Sequence, residues 1–240
     1  MRVPKVHGVI RRRLLVNFRI DPDVAQKQLP APFQPKLQAG YAVGGICLIR
    51  LEGIRPRRFP EILGLSSENA AHRFAVRWSD ADGEHEGVYI PRRDSGSLLN
   101  TMAGGRLFPG EQHRARFEVT DDGNRVELAM TSSDHAVSVH VAGASSDALA
   151  PQSIFSSIRE ASDFFEAGSL GYSATSSGRR LDGIVLNARN WEVHPLGMEL
   201  VQSSYFDDRS LFPPDSIRFD HALIMRNIEH EWHSAAAMSV

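Results

Sequence analysis

Apolar and polar residues alternate along several short segments of the sequence, and this alternation predicts an antiparallel sheet. In residues 71–78, the even-numbered positions from His72 to Trp78 would share one face of a strand, and the odd-numbered positions, including Arg73, the other face. Turn-forming residues at 80–83 then lead into a returning strand. The same alternation recurs at residues 115–119, 126–130 and 137–141. Period-two segments separated by tight turns favour antiparallel pairing over a βαβ repeat.

The remaining segments bring the prediction to roughly ten strands and two or three helices. Asp21 and Pro22 have the chemistry of a helix start, and this helix would extend to about residue 29. The apolar stripe of residues 153–167 predicts a second helix. Residues 171–180 would form a polar turn, and residues 216–232 fit a strand or a helix, of which we favour the strand. Further strands are predicted at residues 14–20, 41–51, 183–193 and 198–206.

These elements predict a mainly β (α+β) fold. The architecture we expect is a closed or nearly closed antiparallel β-barrel with two or three flanking helices. No linker, repeat or low-complexity segment divides the chain, so we expect residues 1–240 to form a single domain.

Composition and charge narrow the possible functions. A net charge of -2 carries no signature of nucleic-acid binding, and no apolar run approaches the ~20 residues of a membrane span. Cys47 is the only cysteine, which excludes an intrachain disulfide, and its apolar neighbours predict a small buried residue. The 27 basic residues include only Lys5, Lys27 and Lys36 as lysines. The arginine run at residues 11–13 is typical of a solvated segment. We therefore expect a cytoplasmic protein with no nucleic-acid or membrane partner.

Residues 87–119 contain the densest group of charged and turn-forming residues. Six of its charged or titratable residues lie within 22 positions: Arg92, Arg93, Asp94, Arg106, Glu111 and His113. Arginine matches a carboxylate with two parallel hydrogen bonds, and Glu and His can exchange protons near neutral pH. A site that holds a small organic acid is therefore chemically sensible, with Arg92 or Arg106 directed into a cavity. The alternative is that Asp94 only neutralises an arginine and that His113 lies at the surface.

Two segments resemble acetoacetate decarboxylase-like proteins. LLVNFRIDPDVAQKQLPAPFQP, at residues 14–35, is similar to the N-terminal part of that family. GGRLFPGEQHRARF, at residues 104–117, is similar to the family segment that contains two adjacent catalytic lysines. GVYIPRRD and the FPG motif resemble the uncharacterised YqjF-like branch of the superfamily more closely. The resemblance implies a cone-shaped antiparallel barrel with an internal ligand pocket.

The resemblance also implies positions for site residues. The family's catalytic arginine falls on Arg11, its pocket glutamate on Glu68, and its two lysines on His113 and Arg114. In the family, the first lysine forms a Schiff base and the second lowers the pKa of the first. Neither position has an amine here, so we expect the scaffold to be retained and the Schiff-base chemistry to be lost.

We therefore expect a small carboxylate-type ligand in an internal pocket. The candidate catalytic residues are His113, Glu111 and Glu68, and the candidate ligand-binding residues are Arg11, Arg92, Arg93, Arg106 and Arg114. The alternatives are a non-catalytic small-molecule-binding protein and an interaction scaffold with a filled barrel, and a homo-oligomer remains open. We expect no cofactor, because Gly104 and Gly105 lack the spacing of a dinucleotide-binding motif. We expect no metal, because the spacing of His230 and His233 does not fit the zinc helix motif H-E-x-x-H.

Overall fold

The computed structural model describes residues 6–56, 60, 62, 64–97, 110–175 and 180–239 of the chain. Within these ranges it has thirteen strands and two helices. The first half contains β1 (Val6–Ile20), α1 (Pro22–Gln26), β2 (Gln34–Pro35), β3 (Leu37–Gln38), β4 (Tyr41–Pro56), β5 (Leu65–Asp80) and β6 (Gly83–Ser95). The second half contains β7 (Gln112–Asp121), β8 (Arg125–Ser132), β9 (Ser138–Ser145), α2 (Ile158–Ala167), β10 (Leu170–Ala174), β11 (Arg180–Ala188), β12 (His194–Ser203) and β13 (Ile217–Ser239). The mainly β prediction is confirmed.

α1 begins where the sequence chemistry predicts, and both helices are shorter than predicted. Asp21 caps α1, with Oδ1 accepting the backbone N–H of Asp23 at 2.9 Å. Ser157 caps α2 by accepting the backbone N–H of Glu160. The start of α2 at residue 153 was wrong because Ser153 and the backbone N–H of Ile154 donate hydrogen bonds to the carboxylate of Asp220. These bonds tie the segment before α2 to β13.

All thirteen strands belong to one hydrogen-bonded sheet. Adjacent pairs lead from β1 through β4, β5, β6, β10, β11 and β13 back to β1. The β6–β7 and β6–β10 pairs are parallel, which corrects the prediction of a purely antiparallel sheet. Leu170–Ala174 forms β10 where a polar turn was predicted, because Gly171 and Tyr172 pair with β6. The strand prediction for residues 216–232 is confirmed by β13.

The strands β1, β4 and β5 are buried on both faces. Leu14, Val16 and Phe74 belong to a large apolar cluster on one face, whereas Leu15 and Cys47 belong to a second cluster together with the apolar face of α2. The side chains of a strand point alternately to its two sides, so a strand between two cores has apolar residues at consecutive positions. The second cluster contains the site described below.

A β-bulge in β6 determines which side chains reach this second cluster. Arg92 pairs with His72 and Tyr89 with Phe74, so Ile90 and Pro91 together oppose the single residue between them on β5. A bulge tolerates proline, which has no N–H to donate. The extra residue reverses which of the following side chains of β6 point to each face of the sheet.

Candidate functional site

A cavity of about 120 Å³ lies between α2 and the strands of the second cluster. Three arginines, Arg13, Arg73 and Arg93, line it together with Cys47. The rest of its wall is largely apolar and includes Ile49, Val88, Ile90, Phe165, Ile184, Leu186, Trp191 and Trp232. The combination of apolar walls with a few convergent polar groups is typical of small-molecule sites.

Strand register brings these residues together from distant parts of the sequence. Cys47 on β4 pairs with Ala71 on β5, and Ala71 pairs with Arg93 on β6. Arg73 lies two residues beyond Ala71 and opposite Gly45. Because of the bulge, Arg93 lines the same cavity as Val88 and Ile90. The site is thus built on paired strands, which hold their side chains in fixed positions.

The guanidinium groups carry buried N–H donors without acceptors. Among the described residues, no hydrogen-bond partner meets Nη1 of Arg13, Nε of Arg73 or Nη2 of Arg93. Burial lowers the pKa of both Arg73 and Arg93 to about 10, and the charge of Cys47 partly opposes this. A buried charged donor without an acceptor is unfavourable, so these arginines favour an anion in the cavity.

Arg73 is oriented by a chain of buried polar residues behind it. Its Nη2 donates to Oδ1 of Asn17 at 2.6 Å, and Nδ2 of Asn17 lies 3.1 Å from Nε2 of His221. Nδ1 of His221 lies 2.6 Å from Oδ2 of Asp220. Since Nδ2 of Asn17 is a donor, Nε2 of His221 accepts and Nδ1 donates to Asp220. Burial raises the pKa of Asp220, but hydrogen bonds led by that from His221 outweigh it and leave the pKa below its ordinary value.

The other two arginines are held by weaker contacts. Nε of Arg93 donates to Oγ of Ser173 at 3.0 Å. Nε of Arg13 donates to Sγ of Cys47 at 3.3 Å, and its guanidinium lies 5.5 Å from the ring centre of Trp191. These contacts leave Nη1 of Arg13 and Nη2 of Arg93 without a hydrogen-bond partner among the described residues.

Arg92 does not line this cavity but forms ion pairs with Asp94, which does line it, and with Asp134. Its Nη2 lies 2.9 Å from both Asp94 and Asp134. Burial lowers the pKa of Arg92, but the two carboxylates outweigh it and raise the pKa above its ordinary value. His113 is partly exposed, and its Nδ1 lies 3.2 Å from Asp134. The Arg92–Asp94 ion pair therefore agrees with the alternative interpretation, in which Asp94 neutralises an arginine.

Glu68 pairs with a different arginine from those in the cavity. It accepts a hydrogen bond from Arg12 at 2.7 Å, and Arg12 is only 4% exposed. The arginine run at residues 11–13 is therefore not simply solvated: Arg12 is buried in an ion pair, and Arg13 lines the cavity. Arg11 extends outward to Glu52 at 2.8 Å.

The cavity brings together few of the predicted site residues. Of those candidates, it is lined by Arg93 and not by His113, Glu111, Glu68, Arg11, Arg92 or Arg114. Glu111 and Arg114 are exposed. Arg106 lies outside the described residues, as does Lys5. The described lysines, Lys27 and Lys36, do not line the cavity either, and Lys36 forms an ion pair with Glu86.

Three lining residues were not predicted as site residues: Arg13, Arg73 and Cys47. Cys47 was expected to be a small buried residue, which its 7% exposure confirms. The sequence did contain a sign of the role of Arg73: it lies on the odd-numbered face of the strand at residues 71–78, and both faces of that strand are buried. Among the described residues, no group of three or more His, Cys, Asp or Glu side chains is arranged to hold a metal ion. Within the same part of the chain, no helix is long and apolar enough to cross a membrane.

Comparison with known proteins identifies similar folds. A family model described as DUF2071, uncharacterized conserved protein (COG2071), matches residues 9–222. No curated protein matches the sequence. The fold is similar to that of acetoacetate decarboxylase from Legionella pneumophila, with a TM-score of 0.60 and 13% identity over 98% of this chain and 88% of that chain.

Two further structures show the same fold. An acetoacetate decarboxylase-like enzyme from Sphingomonas wittichii RW1 matches with a TM-score of 0.61 and 11% identity, over 99% of this chain and 93% of that one. The enduracididine biosynthesis enzyme MppR, in complex with pyruvate, matches with a TM-score of 0.59 and 11% identity, over 99% and 90% of the two chains. The predicted resemblance to the acetoacetate decarboxylase-like superfamily is therefore confirmed at the level of the fold.

Proposed function

We propose that this chain, which belongs to the DUF2071 family of uncharacterized conserved proteins, binds a small organic acid in the cavity lined by Arg13, Arg73 and Arg93. The observation that carries the proposal is the set of buried N–H donors on these three arginines, each without an acceptor among the described residues. A carboxylate supplies two oxygens that accept hydrogen bonds from these donors and one negative charge that compensates the buried positive charge.

The size of the cavity supports a ligand of few atoms. An apolar cavity of ~150 Å³ accommodates benzene, and the volume here is about 120 Å³. An acid of roughly six non-hydrogen atoms therefore fits, which includes the small 2-oxo acids. The pyruvate complex of MppR, a protein of the same fold, supports this class of ligand.

We also propose that the strand circuit forms a closed barrel with this cavity inside it. The continuous pairing from β1 through β4, β5, β6, β10, β11 and β13 back to β1 supports this, since only closure leaves a sheet without an edge. α2 then covers the cavity with Phe165. Water exclusion of this kind strengthens the interaction between a guanidinium and a carboxylate.

Isothermal titration calorimetry with a matched pair of ligands tests the proposal. Pyruvate has the carboxylate and pyruvamide is its neutral analogue, so we expect pyruvate to bind at least about tenfold more tightly. Arg13→Met, Arg73→Met and Arg93→Met should each weaken pyruvate binding by about 10- to 100-fold, the worth of a hydrogen bond to a charged group. The control is Arg209→Met, because Arg209 is exposed and does not line the cavity.

Equal affinities for pyruvate and pyruvamide would contradict the proposal, and so would equal losses in Arg209→Met and the three cavity variants. Binding by this cavity is compatible with either a catalytic or a non-catalytic protein. A non-catalytic binder would release pyruvate unchanged after long incubation, whereas an enzyme would convert its own ligand.

A further inference from the structure

The cavity contains a nucleophile that carboxylate binding alone does not use. Sγ of Cys47 lines the same wall as the three arginines. Ser169 also lines the cavity, but its hydroxyl donates to the backbone carbonyl of Glu166 at 2.5 Å. Cys47 therefore remains the side chain best suited to attack a bound ligand.

A guanidinium donor is directed at the sulfur of Cys47. Nε of Arg13 is a donor only, and it points at Sγ from 3.3 Å. Arg93 and Cys47 flank Ala71 in one cross-strand row, and Arg73 lies one row away on the same face of β5. The thiolate is the nucleophilic form of cysteine, and an arginine N–H is a donor from which it can accept.

Arg73 supplies a second, independent indication of a ligand beside Cys47. It is only 3% exposed, it lines the cavity, and its Nε has no acceptor among the described residues. A carboxylate that bound this donor together with Arg93 would place the neighbouring carbon of the ligand against the wall that carries Sγ.

We propose that Cys47 is the catalytic nucleophile of this cavity and adds reversibly to the ketone carbon of a small 2-oxo acid. The inference rests on the proposed function, because the arginines must first hold the carboxylate. The thiol gives its proton to water, and the sulfur electron pair forms a C–S bond to the ketone carbon. The π electrons of the C=O bond move to oxygen, which takes up a proton from water. The product is a hemithioketal, and no oxidant, reductant or cofactor takes part.

Competitive alkylation tests the proposal on the native protein. Iodoacetate carries a carboxylate beside its electrophilic carbon, whereas iodoacetamide is its neutral counterpart. Each rate at Cys47 is measured by intact-protein mass spectrometry and divided by the rate with N-acetylcysteine under the same conditions. Since Cys47 is the only cysteine, the mass shift reports one site. We expect the normalised rate for iodoacetate to exceed that for iodoacetamide by at least about tenfold.

Arg93→Met should remove this preference, and Arg209→Met should keep it. If Arg93→Met does not fold, Arg93→Lys keeps the charge but loses the planar fork, and it should reduce the preference. Pyruvate should protect Cys47 from iodoacetate. With pyruvate labelled with carbon-13 at C2, the wild type should give a new NMR signal for a tetrahedral carbon, and Cys47→Ala should not.

Equal normalised rates, no labelling in the native state, or an identical C2 signal in Cys47→Ala would each overturn the inference. Calorimetry distinguishes a failure of the nucleophile inference from a failure of the proposed ligand binding. If wild type and Cys47→Ala both bind pyruvate but Cys47 shows no preference, only the nucleophile is refuted. If neither protein binds pyruvate, the proposed function fails as well.

Discussion

Arg73→Met should weaken ligand binding without destabilising the empty protein. Burial lowers the pKa of Arg73 from its ordinary value to about 10. Each pKa unit corresponds to ~1.4 kcal/mol, so the buried charge costs about 3 kcal/mol of folding free energy as an order of magnitude. Methionine has a similar shape and removes this penalty.

The substitution also removes a hydrogen bond, whereas methionine keeps a contact with the ring of Phe165, which lies 4.8 Å from the guanidinium in the wild type. Oδ1 of Asn17 loses the hydrogen bond from Nη2 of Arg73, which leaves a buried acceptor unsatisfied. Such a loss costs about 1–3 kcal/mol. The two effects oppose each other, and the expected free energy of unfolding is therefore between unchanged and about 2 kcal/mol higher than that of the wild type.

Urea unfolding followed by tryptophan fluorescence, with and without pyruvate, measures both effects. We expect pyruvate to stabilise the wild type and to have little effect on Arg73→Met. The control, Arg209→Met, should stay within about 0.5 kcal/mol of the wild type and should keep the stabilisation by pyruvate. If Arg73→Met instead loses more than about 2 kcal/mol without ligand, Arg73 serves the fold and not an anion.

Three other variants test the surroundings of the site. His72 is fully buried, and burial together with a nearby arginine lowers its pKa to about 3, so stability should fall as the pH drops from about 6.5 towards 3. In His72→Phe, that part of the loss, about 2 kcal/mol at pH 5, should disappear from pH-dependent urea unfolding. Asp94→Ala should cost about 1–3 kcal/mol of stability because it leaves Arg92, which is partly buried, with only Asp134 as a partner. Glu118→Ala breaks an exposed ion pair and should cost less than about 1 kcal/mol, and equal losses would contradict this. Gly45→Ala would bring Cβ within 2.4 Å of a backbone oxygen of β1, so it should destabilise the fold and weaken pyruvate binding. The control is Gly197→Ala, whose Cβ would have no contact nearer than 3.7 Å and which should change neither thermal unfolding nor the calorimetric affinity.

Much of the fold followed from local pattern. The alternation of residues 71–78 and the turn at residues 80–83 predicted the β5–β6 hairpin, because the period of two and the turn chemistry are both local properties. β10 was missed because its pairing partner, β6, lies far away in the sequence. The parallel direction of the β6–β10 pair could not be predicted for the same reason.

The site was only partly predictable because it depends on long-range register. Arg93 was predicted, but its neighbours Cys47 and Arg73 are 20 or more residues away, and only the pairing of β4, β5 and β6 brings them together. The bulge at residues 90 and 91 then decides that Arg93, and not Arg92, lines the cavity. No periodicity in a single sequence reveals such a bulge.

A crystal structure of the protein soaked in pyruvate tests the central claim most directly. We predict pyruvate between α2 and the sheet, with carboxylate oxygens about 2.7–2.9 Å from the guanidinium nitrogens of at least two of Arg13, Arg73 and Arg93. Pyruvate bound only outside this cavity, or an empty cavity in crystals whose calorimetric affinity ensures saturation, would contradict it.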